Sequence, residues 1–265
     1  MKFSSRCLLA ALIPALASGA DNAACIVNMP CYSATSVVNS ASYATGWLGP
    51  NTFASIFGWN LTDGITATGV PGSQGSDGAF GGVRVLLNGT EPAFISYVSP
   101  RQVNLVIPTD LTGQTATVQV VNNGKAGPKV TLAVHDSAPA LFLELDGTTA
   151  IALHSNGTLV TAQSPAHAGE TVRLYATGLG PFDRMFGDFT RPSPPDPIAR
   201  RAEFSVQLGG QSITLAASDY VGATAEWVGI VEINFHLPAV VGRNPEVRIG
   251  LGDRLSPPGA FLPVE

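Results

Sequence analysis

The sequence predicts an all-β chain made of two similar sandwiches in tandem. Three observations carry this: two-residue alternation of apolar side chains, an abundance of turn residues with few charges, and an internal repeat. Of 265 residues, 29 are glycine and 20 proline while only 12% are charged, a balance that favours short strands and many turns over charge-faced helices. Apolar residues make up 45% and recur with a short period along the chain, so the low charge does not signal disorder.

The chain opens on Lys2 and Arg6, an apolar run from Cys7 to Leu16, and the small residues Ala17-Ser18-Gly19-Ala20. This is the pattern of a secretory signal peptide over residues 1–20, implying an exported protein, whether extracellular, periplasmic or on the cell surface. The run is too short to cross a bilayer, and no later segment reaches the roughly 20 apolar residues a membrane helix needs. The formal net charge of −5 becomes −7 once Lys2 and Arg6 leave with the leader, so the basic footprint of a nucleic-acid binder is missing.

Cys25 and Cys31 remain after the leader, with five residues between them, in a compartment that permits disulfides, and a bond between them is expected in an N-terminal segment over 21–36. Metal binding would need more ligands, and the nearest histidine is His135. Lipidation of Cys25 is the alternative, against which Asn22 stands where a lipobox has leucine.

Strands follow in order. A stretch near Val37 comes first; then Phe53, Ser55 and Phe57 share one face of a second strand, and Val83, Val85 and Leu87 one face of a third. The third ends at Asn88-Gly89, whose residues accept positive φ at both centres of a type I′ turn, so a hairpin with Ala93–Val98 as return strand is expected. Ser99-Pro100 stops that strand, Val103–Ile107 ends at Pro108, and Thr115–Val121 and Val130–Val134 flank the turn Asn122-Asn123-Gly124. About seven short strands in roughly 100 residues is the spacing of an immunoglobulin-like sandwich.

After Ala138-Pro139 the order repeats. Gly169-Glu170-Thr171 leads into Val172–Ala176 as Pro50-Asn51-Thr52 leads into Phe53–Phe57. Gly209-Gly210 stands where Asn-Gly stood, and Ile233-Asn234-Phe235-His236-Leu237-Pro238 echoes Val103-Asn104-Leu105-Val106-Ile107-Pro108. The expected division is a first sandwich over 37–140 and a second over 141–265.

Four segments, Val37-Val38-Asn39-Ser40-Ala41-Ser42-Tyr43, Phe57-Gly58-Trp59-Asn60-Leu61, Tyr97-Val98-Ser99-Pro100-Arg101-Gln102-Val103-Asn104 and Gly169-Glu170-Thr171-Val172-Arg173-Leu174-Tyr175-Ala176-Thr177-Gly178-Leu179-Gly180-Pro181, together resemble the Solibacter-type uncharacterised C-terminal domain family. That family is similar to tandem IPT/TIG-like, immunoglobulin-related modules of exported acidobacterial proteins. The resemblance implies fold, export and a bacterial source, and brings no catalytic residues with it. The loop from Thr62 to Gly82 looks longer than the family's usual connection, and the module stands here without a propeller or enzyme domain beside it.

The sequence holds no G-x-S-x-G nucleophile elbow, and His135, His154, His167 and His236 fall in four segments without flanking signatures, so no catalytic residue is expected. The Gly72–Gly82 stretch lacks a following Lys-Ser or Lys-Thr and reads as a flexible loop rather than a phosphate cradle. Asp63 and Asp77 are weak calcium candidates outside any array of alternating acids, so no metal or cofactor is assigned. Asn60, Asn88 and Asn156 match a glycosylation pattern that a bacterial source would leave bare.

Two groups suggest binding. The loop from Phe182 to Pro197 sets Phe182, Phe186 and Phe189 beside Arg184 and Arg191, a composition of interface anchors or of a flap folded over a sheet edge. Glu232, Asn234 and His236 share one face of a strand opposite Val231, Ile233 and Phe235, a polar line able to meet a sugar or simply water. The sequence thus favours a non-enzymatic exported module binding a protein or polysaccharide of the envelope or extracellular space. The alternatives are a structural spacer or self-associating envelope component and, more remotely, a glycan hydrolase with paired carboxylates.

Overall fold

The computed structural model describes residues 25–70, 73–75, 78–89, 94–183, 196–225 and 227–265. It forms two immunoglobulin-like β-sandwiches in tandem. In the first, β1 (Val37–Asn39), β2 (Phe53–Phe57), β6 (Gln102–Val106), β5 (Phe94–Val98) and β3 (Ala67–Thr68) make one antiparallel sheet in that order. The facing sheet holds β4 (Val83–Leu87), β7 (Thr115–Asn122) and β8 (Lys125–Ala126), with β9 (Val130–Ala133) also on β7. Ala54 and Ile56 of β2 meet Val83, Val85 and Leu87 of β4 in the first core.

In the second sandwich, β10 (Ala140–Leu141), β12 (Thr171–Thr177), β16 (Val231–His236) and β15 (Tyr220–Ala223) form one sheet, with β11 (Ala152–His154) on β12. Its partner is β14 (Gln211–Ile213), β13 (Phe204–Leu208), β17 (Val247–Leu251) and β18 (Arg254–Leu255). Val172, Leu174, Val231, Ile233 and Phe235, all completely buried, lie in the second core opposite Val206, Val247 and Ile249. Leu141 belongs to this core, and Ala140 pairs with Thr177.

Three details differ from the sequence expectation. The Asn88-Gly89 hairpin does not form: both residues have positive φ and turn the chain, but β4 pairs with β7 and β5 with β6 in the opposite sheet. Turn chemistry bends the backbone without choosing which strand receives its hydrogen bonds, and Val83, Val85 and Leu87 can only face the core from the β7 sheet. Two-residue hairpins occur instead at Asn123-Gly124, between β7 and β8, and at Gly209-Gly210, between β13 and β14.

The repeat is also offset by one residue at β2. Ile107 donates to the Thr52 carbonyl as Leu237 donates to that of Glu170, and Ser55 pairs with Asn104 as Arg173 pairs with Asn234. Thr171 is therefore the counterpart of Phe53, not of Thr52. With a period of two, that step exchanges core for surface and puts Phe53, Ser55 and Phe57 on the outer face.

Finally, the first sandwich begins before residue 37. Tyr32 is buried in its core, donates its hydroxyl to Pro128 O at 2.6 Å and accepts the Val120 N–H at 2.7 Å. Burial outweighs the Val120 bond and pushes the phenol up to about 12. The Cys25–Cys31 disulfide is formed and closes the loop leading into Tyr32.

The domains are locked end to end. Thr177 Oγ1 accepts the Phe53 N–H at 2.7 Å and donates to Gly229 O at 2.8 Å. Phe53, Phe94 and Val106 of the first domain pack with Phe142 and Val228 of the second. Gly178, at φ +75°, and Gly229, at φ +77°, leave room that a side chain would fill: a Cβ on the first would collide with the Ala138 carbonyl, and one on the second would lie 2.6 Å from Val106. On the other side Arg254 donates to His135 Nδ1 at 2.8 Å, so His135 Nε2–H donates to Gly46 O at 3.1 Å, and the guanidinium lies over the Trp47 ring.

Candidate binding face of the second domain

Alternation along β16 buries Val231, Ile233 and Phe235 and turns Glu232, Asn234 and His236 outward, so the three sequence candidates share the outer face. The register adds residues that sequence reading missed. Arg173 stands opposite Asn234 from β12, Tyr220 opposite Asn234 from β15, and Tyr175 opposite Glu232. With about 4.8 Å between strands, Arg173, Tyr220, Glu232, Asn234 and His236 form one polar field, whereas Tyr175 is buried in an apolar cluster with Leu153 and Ile230.

Its groups hold one another. Asn234 Nδ2 donates to Glu232 Oε1 at 2.8 Å, and Arg173 Nε lies 3.3 Å from the same oxygen. This leaves the amide oxygen of Asn234 buried with no donor against it. Tyr220 Oη lies 2.8 Å from Ala223 O and 3.2 Å from Asp196 O. Burial, and then the charges of Glu232 and Asp196, push its pKa well above the tyrosine range and keep the hydroxyl a donor.

At the other end of β16, His236 Nδ1 lies 2.7 Å from Asp219 Oδ1. The Asp219 side chain is 2% exposed, and its second oxygen accepts the Ala216 N–H, so the carboxylate fixes Nδ1 as the protonated nitrogen. The half-exposed imidazole then offers Nε2 outward. At the Glu232 end the field meets Trp227, which is partly exposed and packs edge-on against Tyr175 at 5.9 Å. Thr224 holds that turn, its Oγ1 accepting the Trp227 N–H and donating to Trp227 O, both at 2.9 Å.

The loop candidate divides. Phe182 bridges Ile198 and packs against the second core, whereas Arg184, Phe186, Phe189 and Arg191 lie outside the described residues. The stem of that loop borders the polar field, because Pro197 bridges Gly222 and the Asp196 carbonyl accepts the Ala223 N–H.

Of the four histidines, His154 has the most suggestive company: its Nδ1 lies 2.6 Å from Glu170 Oε1, and its Nε2 lies 3.2 Å from Ser164 Oγ and 3.1 Å from Ser164 O. An acid–imidazole–serine line acts as a nucleophile only with donors ready for an oxyanion. The Ser164 N–H is taken by Thr161, residue 165 is proline and the Ala166 N–H is taken by Pro263 O. The array ties the 155–164 segment to the start of β12. Burial raises the Glu170 pKa, but the His167 N–H and the His154 ring outweigh it and hold the carboxyl below its usual range.

Asp63 is surrounded by donors, Asn122, Asn123 and Lys125, rather than by further ligands, and Asp77 lies outside the described residues. Among the described residues no group of three or more His, Cys, Asp or Glu is placed to hold a metal, and no helix is long and apolar enough to cross a membrane.

No family model and no curated protein matches the chain. Among solved structures it is similar to the mixed-linkage-glucan surface glycan-binding protein SGBP-B of Bacteroides ovatus, at 12% identity and a TM-score of 0.34 over 84% of this chain and 43% of that one. It is likewise similar to domains 5–6 of the S-layer protein SbsC, at 11% identity and a TM-score of 0.26 over 89% and 98%. The A168–A169 pair of titin aligns at 14% identity and a TM-score of 0.21 over 89% and 99%. The chain spans less than half the length of the first of these proteins. Likenesses this loose say nothing about a ligand.

Proposed function

We propose that this chain is an exported, non-catalytic binding module whose second domain holds an extended polysaccharide across the outer face of the β12–β16–β15 sheet. The observation that carries the reading is the orphaned amide oxygen of Asn234, set among Arg173, Glu232 and Tyr220 in a field bordered by Trp227. Sugars present hydroxyls that both donate and accept, together with an apolar ring face. A field of fixed donors and acceptors ending at an aromatic edge matches that chemistry. The outward Nε2 of His236 lies two strand residues further on, so contacts would extend along the strand as a linear chain requires.

Electrophoresis of the protein through gels containing neutral and acidic polysaccharides in turn tests the reading. Retardation by at least one polymer is expected, reduced at least tenfold in apparent affinity by Arg173→Ala combined with Trp227→Ala. Migration unchanged in every polymer, or retardation indifferent to both substitutions, would overturn it.

A further inference from the structure

The two domains stack in one direction. The start of β2, at Phe53, meets the end of the equivalent strand β12, at Thr177. Among the described residues, each sandwich therefore commits one end to the junction and leaves the opposite end uncovered.

Large apolar side chains stand in water at both free ends. On the first domain, Ile26 (67% exposed) and Val27 (82%) sit on the disulfide-closed loop, and Trp59 (58%) lies beside it through the Cys31–Trp59 backbone pair. On the second, Val240 (90%) follows β16, and Phe261 (42%) bridges both Glu246, just before β17, and Thr149 of the hairpin that carries Leu145 (89%). Scattered exposed apolar residues need no explanation, but groups gathered at the ends of a molecule mark contact surfaces.

Charge separates the same two ends. Among the described residues near the first, Arg84, Arg101 and Lys125 face one carboxylate, Asp63. Near the second lie the carboxylates of Asp146, Glu246 and Glu265, with Arg243 close in sequence and His167 Nδ1 3.9 Å from Glu265 Oε1. In a chain of net charge −5, a basic end runs against the average.

We propose that the free end of the first domain docks on the free end of the second domain of another copy, so that chains assemble head to tail. The two surfaces are complementary in charge, both present apolar side chains, and repeat between molecules the end-to-end order that the junction already uses within one. Because they differ, the contact is heterologous and propagates into open strings rather than closing as a symmetric dimer. It leaves the lateral polysaccharide face uncovered and does not depend on it.

Sedimentation velocity of the disulfide-bonded chain, with Val27→Asp and Val240→Asp variants, decides the matter. The wild-type mean mass should rise with concentration, and each variant should weaken association at least tenfold. Mixed in equal amounts, the two variants should form dimers through their one intact pair of ends and stop there. A monomer at every concentration, a single variant that associates as tightly as the wild type, or a mixture that stays monomeric where the wild type associates would each overturn the proposal. Unchanged thermal melting confirms that the variants fold, and Ile26→Ser with Leu145→Ser repeats the test at other exposed positions.

Discussion

The outer faces of the two domains place an asparagine at the same register and reach opposite outcomes. In the first, Asn104 Oδ1 accepts from Ser55 Oγ at 2.9 Å and from Gln102 Nε2 at 2.8 Å, and Ser40 closes over Ser55. In the second, Arg173 replaces Ser55 and Glu232 replaces Gln102. A carboxylate cannot donate, so the Asn234 amide turns its Nδ2 towards Glu232 and its oxygen is left over. The shared asparagine thus completes a closed polar network in one domain and an open one in the other. A single change from amide to acid reverses the direction of a hydrogen bond and, with it, what the face still lacks.

Removing each asparagine should separate these roles most sharply. Asn104→Ala removes the shared acceptor of the buried Ser55 and the half-buried Gln102 and should cost about 2 kcal/mol in chemical denaturation, with polysaccharide retention unchanged. Asn234→Ala removes an unsatisfied acceptor and should move stability by less than about 1 kcal/mol while weakening retention. Equal destabilisation by both would erase the distinction drawn between the faces.

Glu232→Gln recreates the first domain's pair in the second. It lets residue 232 donate to Asn234 and satisfies the orphan, so retention should fall about tenfold, roughly 1.4 kcal/mol, at nearly constant melting temperature.

A smaller effect probes the rim of the same sheet. The depressed pKa of Glu170 means that its contribution is present above the unfolded carboxylate value, about 4.3, and is lost as pH falls through the lower folded value. Glu170→Gln should therefore cost about 1 kcal/mol at neutral pH and nothing in strong acid, as melting curves at the two pH values would read. A difference that persisted in acid would mean that the hydrogen bonds from the His167 N–H and the His154 ring to the ionised carboxylate are not its source.

Much of the fold was legible because alternation and turn residues report local geometry. The faces of β4 and β16 followed from period two alone, and the Cys25–Cys31 bond from compartment and spacing. What escaped were decisions taken between strands. Asn88-Gly89 announces a turn but not that β5 joins the other sheet, and matching Thr171 to Thr52 by residue type missed the slip that the Ile107 and Leu237 bonds reveal. The binding face was half visible for the same reason. Glu232, Asn234 and His236 lie on one strand, whereas Arg173, Tyr220 and Trp227 reach them only through the β12–β16–β15 register and the Thr224 turn.

The Thr177 hydroxyl, bonded at once to a backbone group in each domain, separates two things that duplication usually keeps together. Copying a domain yields a heritable piece that can be moved or lost by itself. Here the exposed Phe53, Phe94 and Val106 of a severed first half would face water, and Thr177 in a severed second half would lose the Phe53 N–H. The repeating piece is one sandwich, but the smallest piece with a complete interior is the pair.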